Sequence, residues 1–399
     1  MALLLRNVQI ADARGVRSGD VTIINNQISQ ISPPNSINAN DIEIIDCAKL
    51  TLIPELVDLN SSRCGIGVST ALDINIHART RMQADLPGVM RPIDPIIPNA
   101  TRSNIGPDPI GGPLEAPQIA ELSIITEKMR GKVGQKKGGE KKEGKAPLLI
   151  DTHKLQGSAL KVVLDYAAML DLALMCMPFN EDFKALSAPN SMGLATAPDM
   201  AFSLEASRFC QIVRDFKLRG AMFATTSDFR DILHFKKDAN LSVISSLHHL
   251  ILDSSALNGF DTRVKIFPPL FDKRAKNNLI RHLQNGDIDI IASFHADNLK
   301  KDLVFESADF GISCADYYFA LAYTQLVRSD LVTLPRFLEL CSLKPAEFLG
   351  LKSGIVEVGA SNLALVDLDY SFELLDDDSP YYENRLFGKV IKSIKALDA

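Results

Sequence analysis

Apolar and polar positions along this chain follow two different periods. Leu3 to Ala11, Asp20 to Ile24 and Gln27 to Ile31 are short runs rich in Val, Ile and Leu, the texture of β-strands, and Asn25-Asn26 predict a hairpin turn between the last two. Ile42 to Asp46 predicts a further strand. The same texture returns late in the chain, at Gly354 to Gly359 and at Asn362 to Asp367. Neither end holds enough strands to be stable alone, so the two are expected to build one sheet domain together.

Between the ends the period lengthens. Leu160, Val163, Leu164, Ala167 and Leu170 fall on one face of a helix over Ser158 to Leu170, and Ala173 to Met177 follows as a buried strand. Leu204 to Leu218 reads as a helix, then Gly220 and the strand-like Ala221 to Thr225. Arg274 to Gln284 is a helix stopped by Asn285-Gly286, with Ile288 to Ser293 as the next buried strand. Repeated βα units over about 290 residues suggest a parallel sheet or a (β/α)8 barrel, whose chemistry sits on the loops after the C-terminal strand ends.

Composition narrows the classes of function. Of 399 residues, 46% are hydrophobic and 23% charged, which is globular rather than disordered. Lys+Arg 43 against Asp+Glu 49 leaves a net charge of −6, and there is no Trp, so neither a basic face nor a stacking platform for nucleic acid is expected. Three leucines before Arg6 are too few for a signal-peptide core, and no stretch approaches the roughly 18 apolar residues of a membrane span. The cysteines Cys47, Cys64, Cys176, Cys210, Cys314 and Cys341 are scattered, with no C-x-x-C pair, and read as reduced core thiols of a cytoplasmic protein. Gly131 to Lys145 carries six lysines and five glycines without apolar periodicity, which predicts a flexible exposed loop at about 131–146.

From residue 45 onward a family likeness accumulates. Ile45-Asp46-Cys47 and Leu52-Ile53-Pro54-Glu55-Leu56-Val57-Asp58-Leu59 resemble the strand that enters the first barrel loop of cyclic amidohydrolases, in particular the dihydroorotases of pyrimidine synthesis. Leu86-Pro87-Gly88-Val89 with Ile93-Asp94, Phe179-Asn180-Glu181-Asp182, Ala201-Phe202 and Thr225-Thr226-Ser227 continue the pattern. So do Val264-Lys265-Ile266-Phe267-Pro268-Pro269-Leu270-Phe271, Ile291-Ala292-Ser293-Phe294-His295-Ala296 and Lys344 to Leu351. The resemblance implies an α/β fold: a TIM-type (β/α)8 barrel over 54–347 and a small β-sandwich domain from residues 1–53 and 348–399.

It also implies a site, and the residues at that site depart from the family. The His-x-His positions hold Asn60 and Ser62; a substrate-contacting Asn falls on Gly88; two further His positions hold Phe179 and Thr225. The Asn and Arg of the Pro-Pro element are Phe267 and Phe271, and the catalytic Asp is Phe294. The family opens a cyclic amide with a zinc-activated water, and phenyl rings cannot ligate zinc. No catalytic residue and no zinc are therefore expected, with Asp151 and His295 as possible survivors of the family's polar set. For Asp151 the plainer reading is a strand-end or capping carboxylate, and for His295 a packing or hydrogen-bonding imidazole. His248-His249, taken as successive strand residues, face opposite ways and cannot grip one ion.

The leading expectation is a dihydroorotase homologue without its metal centre, a structural partner of aspartate carbamoyltransferase, as the resemblance implies, and oligomeric. A second reading is a working zinc-dependent cyclic amidohydrolase whose ligands come from His295, His153 and Asp151. A third is a small-molecule sensor that uses the emptied pocket. No Gly-x-Gly-x-x-Gly, Walker or Gly-x-Ser-x-Gly pattern points to other chemistry.

Overall fold

The computed structural model describes residues 2–37, 42–60, 147–153, 155, 157–180, 182–183, 197–296 and 299–394. The chain opens with β1 (Ala2–Asp12), β2 (Gly15–Ile24), β3 (Gln27–Ser32), β4 (Glu43–Asp46) and β5 (Thr51–Pro54). Asn25 and Asn26 make the turn between β2 and β3 with φ of 52° and 61°, a left-handed pair that Asn tolerates better than other side chains with a Cβ.

A second series of elements follows: β6 (Leu148–Leu149), α1 (Gly157–Leu170), β7 (Leu174–Cys176), α2 (Met200–Asp215), β8 (Gly220–Phe223), α3 (Arg230–Lys236), β9 (Leu241–Ser246) and α4 (Leu247–Ile251). It continues through α5 (Lys273–Asn285), β10 (Ile290–Ala292), α6 (Tyr318–Ala322), α7 (Leu334–Leu338) and α8 (Lys344–Leu349), before β11 (Leu363–Glu373) and β12 (Arg385–Ile394) close the chain. Val163, Leu164 and Ala167 of α1 are buried, as their spacing requires. Helix α5 ends on Gly286 at φ 84°, whose N–H caps the carbonyls of His282 and Leu283. Gly220 is the first residue of β8 rather than a spacer, because a Cβ there would collide with Val213 of α2.

The two chain ends share one seven-stranded sheet, ordered β12-β11-β5-β1-β2-β3 with β4 beside β1. Among the described residues it is continuous, because short β5 pairs with β1 on one side and β11 on the other. Gly354 to Gly359 is not a strand. It is a loop in which Gly354 (φ 95°) passes so close to Leu343 that no Cβ fits, and Val356 is held by the buried carboxylate of Asp12. The strand β12, with polar residues spread along it, carries no clear alternation in sequence.

Strands β6 to β10 form a parallel sheet in sequential order, β10-β9-β8-β7-β6, with α1, α2 and α3 between successive strands. Among the described residues this sheet has five strands and is open, not a closed barrel of eight. Beyond β10, the segment after β5 lies against the strand end: Asp58 accepts the Ser293 N–H at 3.1 Å and the Ser293 hydroxyl, and that hydroxyl also reaches the Asn60 carbonyl at 3.2 Å. Ser62, Gly88, Cys64, His77 and the lysine-rich stretch at 131–146 lie outside the described residues. Cys47, Cys176, Cys210, Cys314 and Cys341 are buried, and no helix among the described residues is long and apolar enough to cross a membrane.

Candidate functional site

The C-terminal ends of the parallel strands converge on an aromatic cluster. Phe179, three residues past β7, packs on Phe202 and Phe267 with both ring centroids 5.0 Å away. Phe267 also meets Phe310 edge-on at 6.3 Å. Phe294, two residues past β10, sits edge-on to Phe223 of β8 at 5.3 Å and near His249 at 6.3 Å. Phe271 takes the other side of His249 at 5.0 Å. Phe179, Phe202, Phe223, Phe267, Phe294 and Phe310 belong to one buried core cluster. Edge-to-face packing of this kind contributes about 0.5–1.5 kcal/mol per pair beyond area burial. The backbone of Phe294 is left-handed (φ 54°), a conformation unfavourable for a bulky side chain and imposed here by its surroundings.

The polar positions around this cluster are buried, and most are spent on structure. Asn60 is buried, and its N–H donates to Asp58 at 3.0 Å. Burial raises the Asp58 carboxyl to about 6, against the hydrogen bonds from Ser293 and Asn60 that favour its charged form. Thr225 is buried, and its hydroxyl has no hydrogen-bond partner among the described residues. Asp151 accepts the backbone N–H of His153 at 2.9 Å, an Asx turn of the capping kind. The His153 ring lies 3.2 Å from Asp182 and 3.9 Å from Glu205, whose carboxylate takes the Thr152 hydroxyl at 2.6 Å.

The histidines of the interior are oriented by the frame. His295 Nδ1 accepts the N–H groups of Cys314 at 3.0 Å and Ala315 at 3.2 Å, which leaves its proton on Nε2. His248 and His249 are not successive strand residues: they lie in α4, whose start is capped by the Ser246 hydroxyl oxygen accepting the His248 N–H. His248 Nδ1 meets the Tyr381 hydroxyl at 2.8 Å, while His249 Nε2 donates to the carbonyls of Pro268 and Pro269 at 3.1 and 3.2 Å. Burial holds both neutral, pulling His248 down to about 3 and His249 to about 4.

A zinc centre of the amidohydrolase kind needs imidazole, thiolate or carboxylate donors converging on one point. The ring positions Phe179, Phe267, Phe271 and Phe294 offer no lone pair, and Thr225 and Asn60 offer a hydroxyl and an amide. Among the described residues no three of His, Cys, Asp and Glu form a group able to hold a metal ion, so His295, His153 and Asp151 are not drawn into one. These residues do not fit such a centre. Phe202, Phe223 and Phe310 complete the aromatic filling; Phe202 lies in the Ala201-Phe202 element, whereas Phe223 and Phe310 carry no individual signal in sequence. Lys265 does carry one, a cation inside the apolar run Val264-Lys265-Ile266-Phe267.

No family model matches the chain. It is 29% identical to a dihydroorotase from Carboxydothermus hydrogenoformans, over 99% of this chain and 96% of that protein. It is 25% identical to a probable dihydroorotase-like protein from Helicobacter pylori strain 26695, over 98% of this chain and 96% of the relative. In fold it is similar to dihydropyrimidinase from Brevibacillus agri, with a TM-score of 0.73 at 16% identity, covering 99% of this chain and 94% of that one. The chain is thus similar over nearly its whole length to a dihydroorotase and a dihydroorotase-like protein, and its fold is similar to that of dihydropyrimidinase and D-hydantoinase.

Proposed function

We propose that this chain is a dihydroorotase-like member of the amidohydrolase superfamily that has lost its metal centre and serves in the cytoplasm as a structural partner of aspartate carbamoyltransferase. The observation that carries the reading is the packing of Phe179, Phe202 and Phe267 ring on ring, with Phe294 against Phe223, where the dihydroorotase pattern has ligands and a catalytic acid. An apolar cluster of this kind excludes water and cations, since an unpaired charge in it would cost several kcal/mol. Closure of the parallel sheet into an eight-stranded barrel belongs to the same proposal, and the bond between Asp58 and Ser293 supports it by bringing the early segment to the free edge of β10.

Contact surfaces on the outside of such a fold are independent of its interior, so a relative without chemistry can still hold a transferase in an active assembly. The experiment is zinc analysis of the purified chain after incubation with zinc, together with a dihydroorotate hydrolysis assay and size-exclusion chromatography with the host's carbamoyltransferase. Sub-stoichiometric zinc, no turnover and co-elution are expected. Stoichiometric zinc with turnover would overturn the reading in favour of a working amidohydrolase.

A further inference from the structure

Outside the aromatic core, three loops meet in one surface: the loop after α4, the loop after β10 and the hairpin between β11 and β12. Arg263 donates to the Asp377 carbonyl at 3.4 Å, the Thr262 hydroxyl donates to the Lys301 carbonyl at 2.6 Å, and the rings of Phe260 and Phe305 lie 6.0 Å apart. On this surface Phe260 and Leu303 are exposed, and Val304 and Leu375 are 70% and 74% exposed. Apolar side chains so grouped on a folded surface mark an interaction site more often than chance exposure does.

Two lysines hold this surface in shape from beneath. Buried Lys265 donates to the carbonyls of Phe305, Glu306 and Ala308 at 2.7, 3.2 and 2.6 Å. Lys301 donates to the carbonyls of Thr262, Lys265 and Asp309 at 2.9, 3.1 and 2.7 Å. Both ammonium groups are thus spent inward, and the loop that presents Leu303 and Val304 is ordered before any partner arrives. Preordering of this kind lowers the entropic cost of binding.

The outer charge of the surface is negative. Asp302, Glu306, Asp377 and Asp378 are exposed, Asp376 stands beside the last two, and exposed Lys300 is one cation against these acids. Burial, and then the neighbouring charges of Asp378, Asp316 and Asp377, raise the Asp376 carboxyl above its ordinary range. Arg263 offsets this field only in part, because its guanidinium is shared between Asp261 at 2.8 Å and the side of Asp377 and Asp378. Two copies of the chain facing each other through this surface would set acid against acid.

We infer that the surface formed by Phe260, Leu303, Val304 and Leu375 with the acids of the β11–β12 hairpin docks a protein face in which cationic side chains surround an apolar recess. This rests on the scaffold reading, in which that face belongs to the carbamoyltransferase. Binding of the full chain to the host's carbamoyltransferase is measured by calorimetry and size exclusion at low and high salt. Val304→Asp with Leu375→Asp is expected to raise the Kd at least about tenfold. Asp377→Lys with Asp378→Lys is expected to weaken binding and flatten its salt dependence. These positions are exposed; an unchanged thermal midpoint verifies folding, and Val304→Ser serves as the milder variant should the double change fail that check. Binding by the parent chain with no loss in any variant would overturn this docking surface and leave the scaffold reading standing. No binding by the parent would end the scaffold reading, and this inference with it. Dimerisation of the chain alone, abolished by Val304→Asp, would assign the surface to a second copy and overturn the inference.

Discussion

The centre and the rim of one sheet end have been treated differently in this sequence. At the centre, Phe179, Phe267 and Phe294 are buried in one apolar cluster at the strand ends, and the rings satisfy one another by packing. At the rim, Lys265, Lys301, Asp58 and Ser293 remain polar or charged although buried or half-buried, and each has partners. The rim groups hold loops in place through hydrogen bonds to main-chain atoms, whereas the central rings hold one another through packing alone. Loss of a rim group would leave carbonyls or amides unpaired, and loss of a central ring would leave a cavity.

That contrast is open to direct breakage. The largest effect is expected for Phe179→Ala, which removes the ring shared by Phe202 and Phe267; a loss of about 3–5 kcal/mol in denaturant unfolding is expected. A variant as stable as the parent would show that the centre is not a packed core. Next comes Lys265→Met, which strands three carbonyls; about 3 kcal/mol of destabilisation is expected, read in the same unfolding series.

Acid sharpens the comparison further. His248 and His249 have folded values of about 3 and 4, below the ordinary 6.5, so the unfolded chain binds protons first as the pH falls. Their contribution to stability is complete above about pH 6.5 and is lost on the way down, each histidine raising the unfolding constant up to about tenfold per pH unit until its folded value is reached. A smaller loss of stability between pH 6.5 and 4 in a His248→Gln, His249→Gln variant than in the parent is the expected result, and equal losses would show that the two histidines do not titrate on unfolding. The smallest effect is expected for Asp58→Asn. One amide oxygen can accept both N–H groups that now meet Asp58 Oδ1, and the amide nitrogen can donate to the Ser293 hydroxyl. A change within about 1 kcal/mol is expected, with stability above pH 6 favoured because the raised folded value of Asp58 (about 6) disfavours the ionised form there.

Local signals were legible wherever they rest on local physics. The Asn25-Asn26 turn, the apolar face of α1 and the Gly286 cap follow from backbone preferences of a few neighbouring residues. The Gly354 to Gly359 stretch misled because its glycines and apolar residues imitate a strand, while the close approach to Leu343 that makes it a loop is 11 positions away in the chain. His248 and His249 misled for a similar reason: strand β9 runs straight into a capped helix, and the Ser246 cap is silent until the backbone turns.

Read alone, the amino-acid sequence determined the α/β alternation, the β texture of the two chain ends and the amide, hydroxyl and phenyl side chains at Asn60, Thr225, Phe179 and Phe294, because side-chain chemistry and local periodicity are properties of residues in order. The tertiary structure alone decided that the phenyl rings pack tilted and edge-on against one another, that His295 faces two backbone amides, and that Lys265 and Lys301 bind carbonyls beneath an acidic, apolar rim. Those relations join residues tens of positions apart, and the sequence carries no record of which distant carbonyl a lysine will reach.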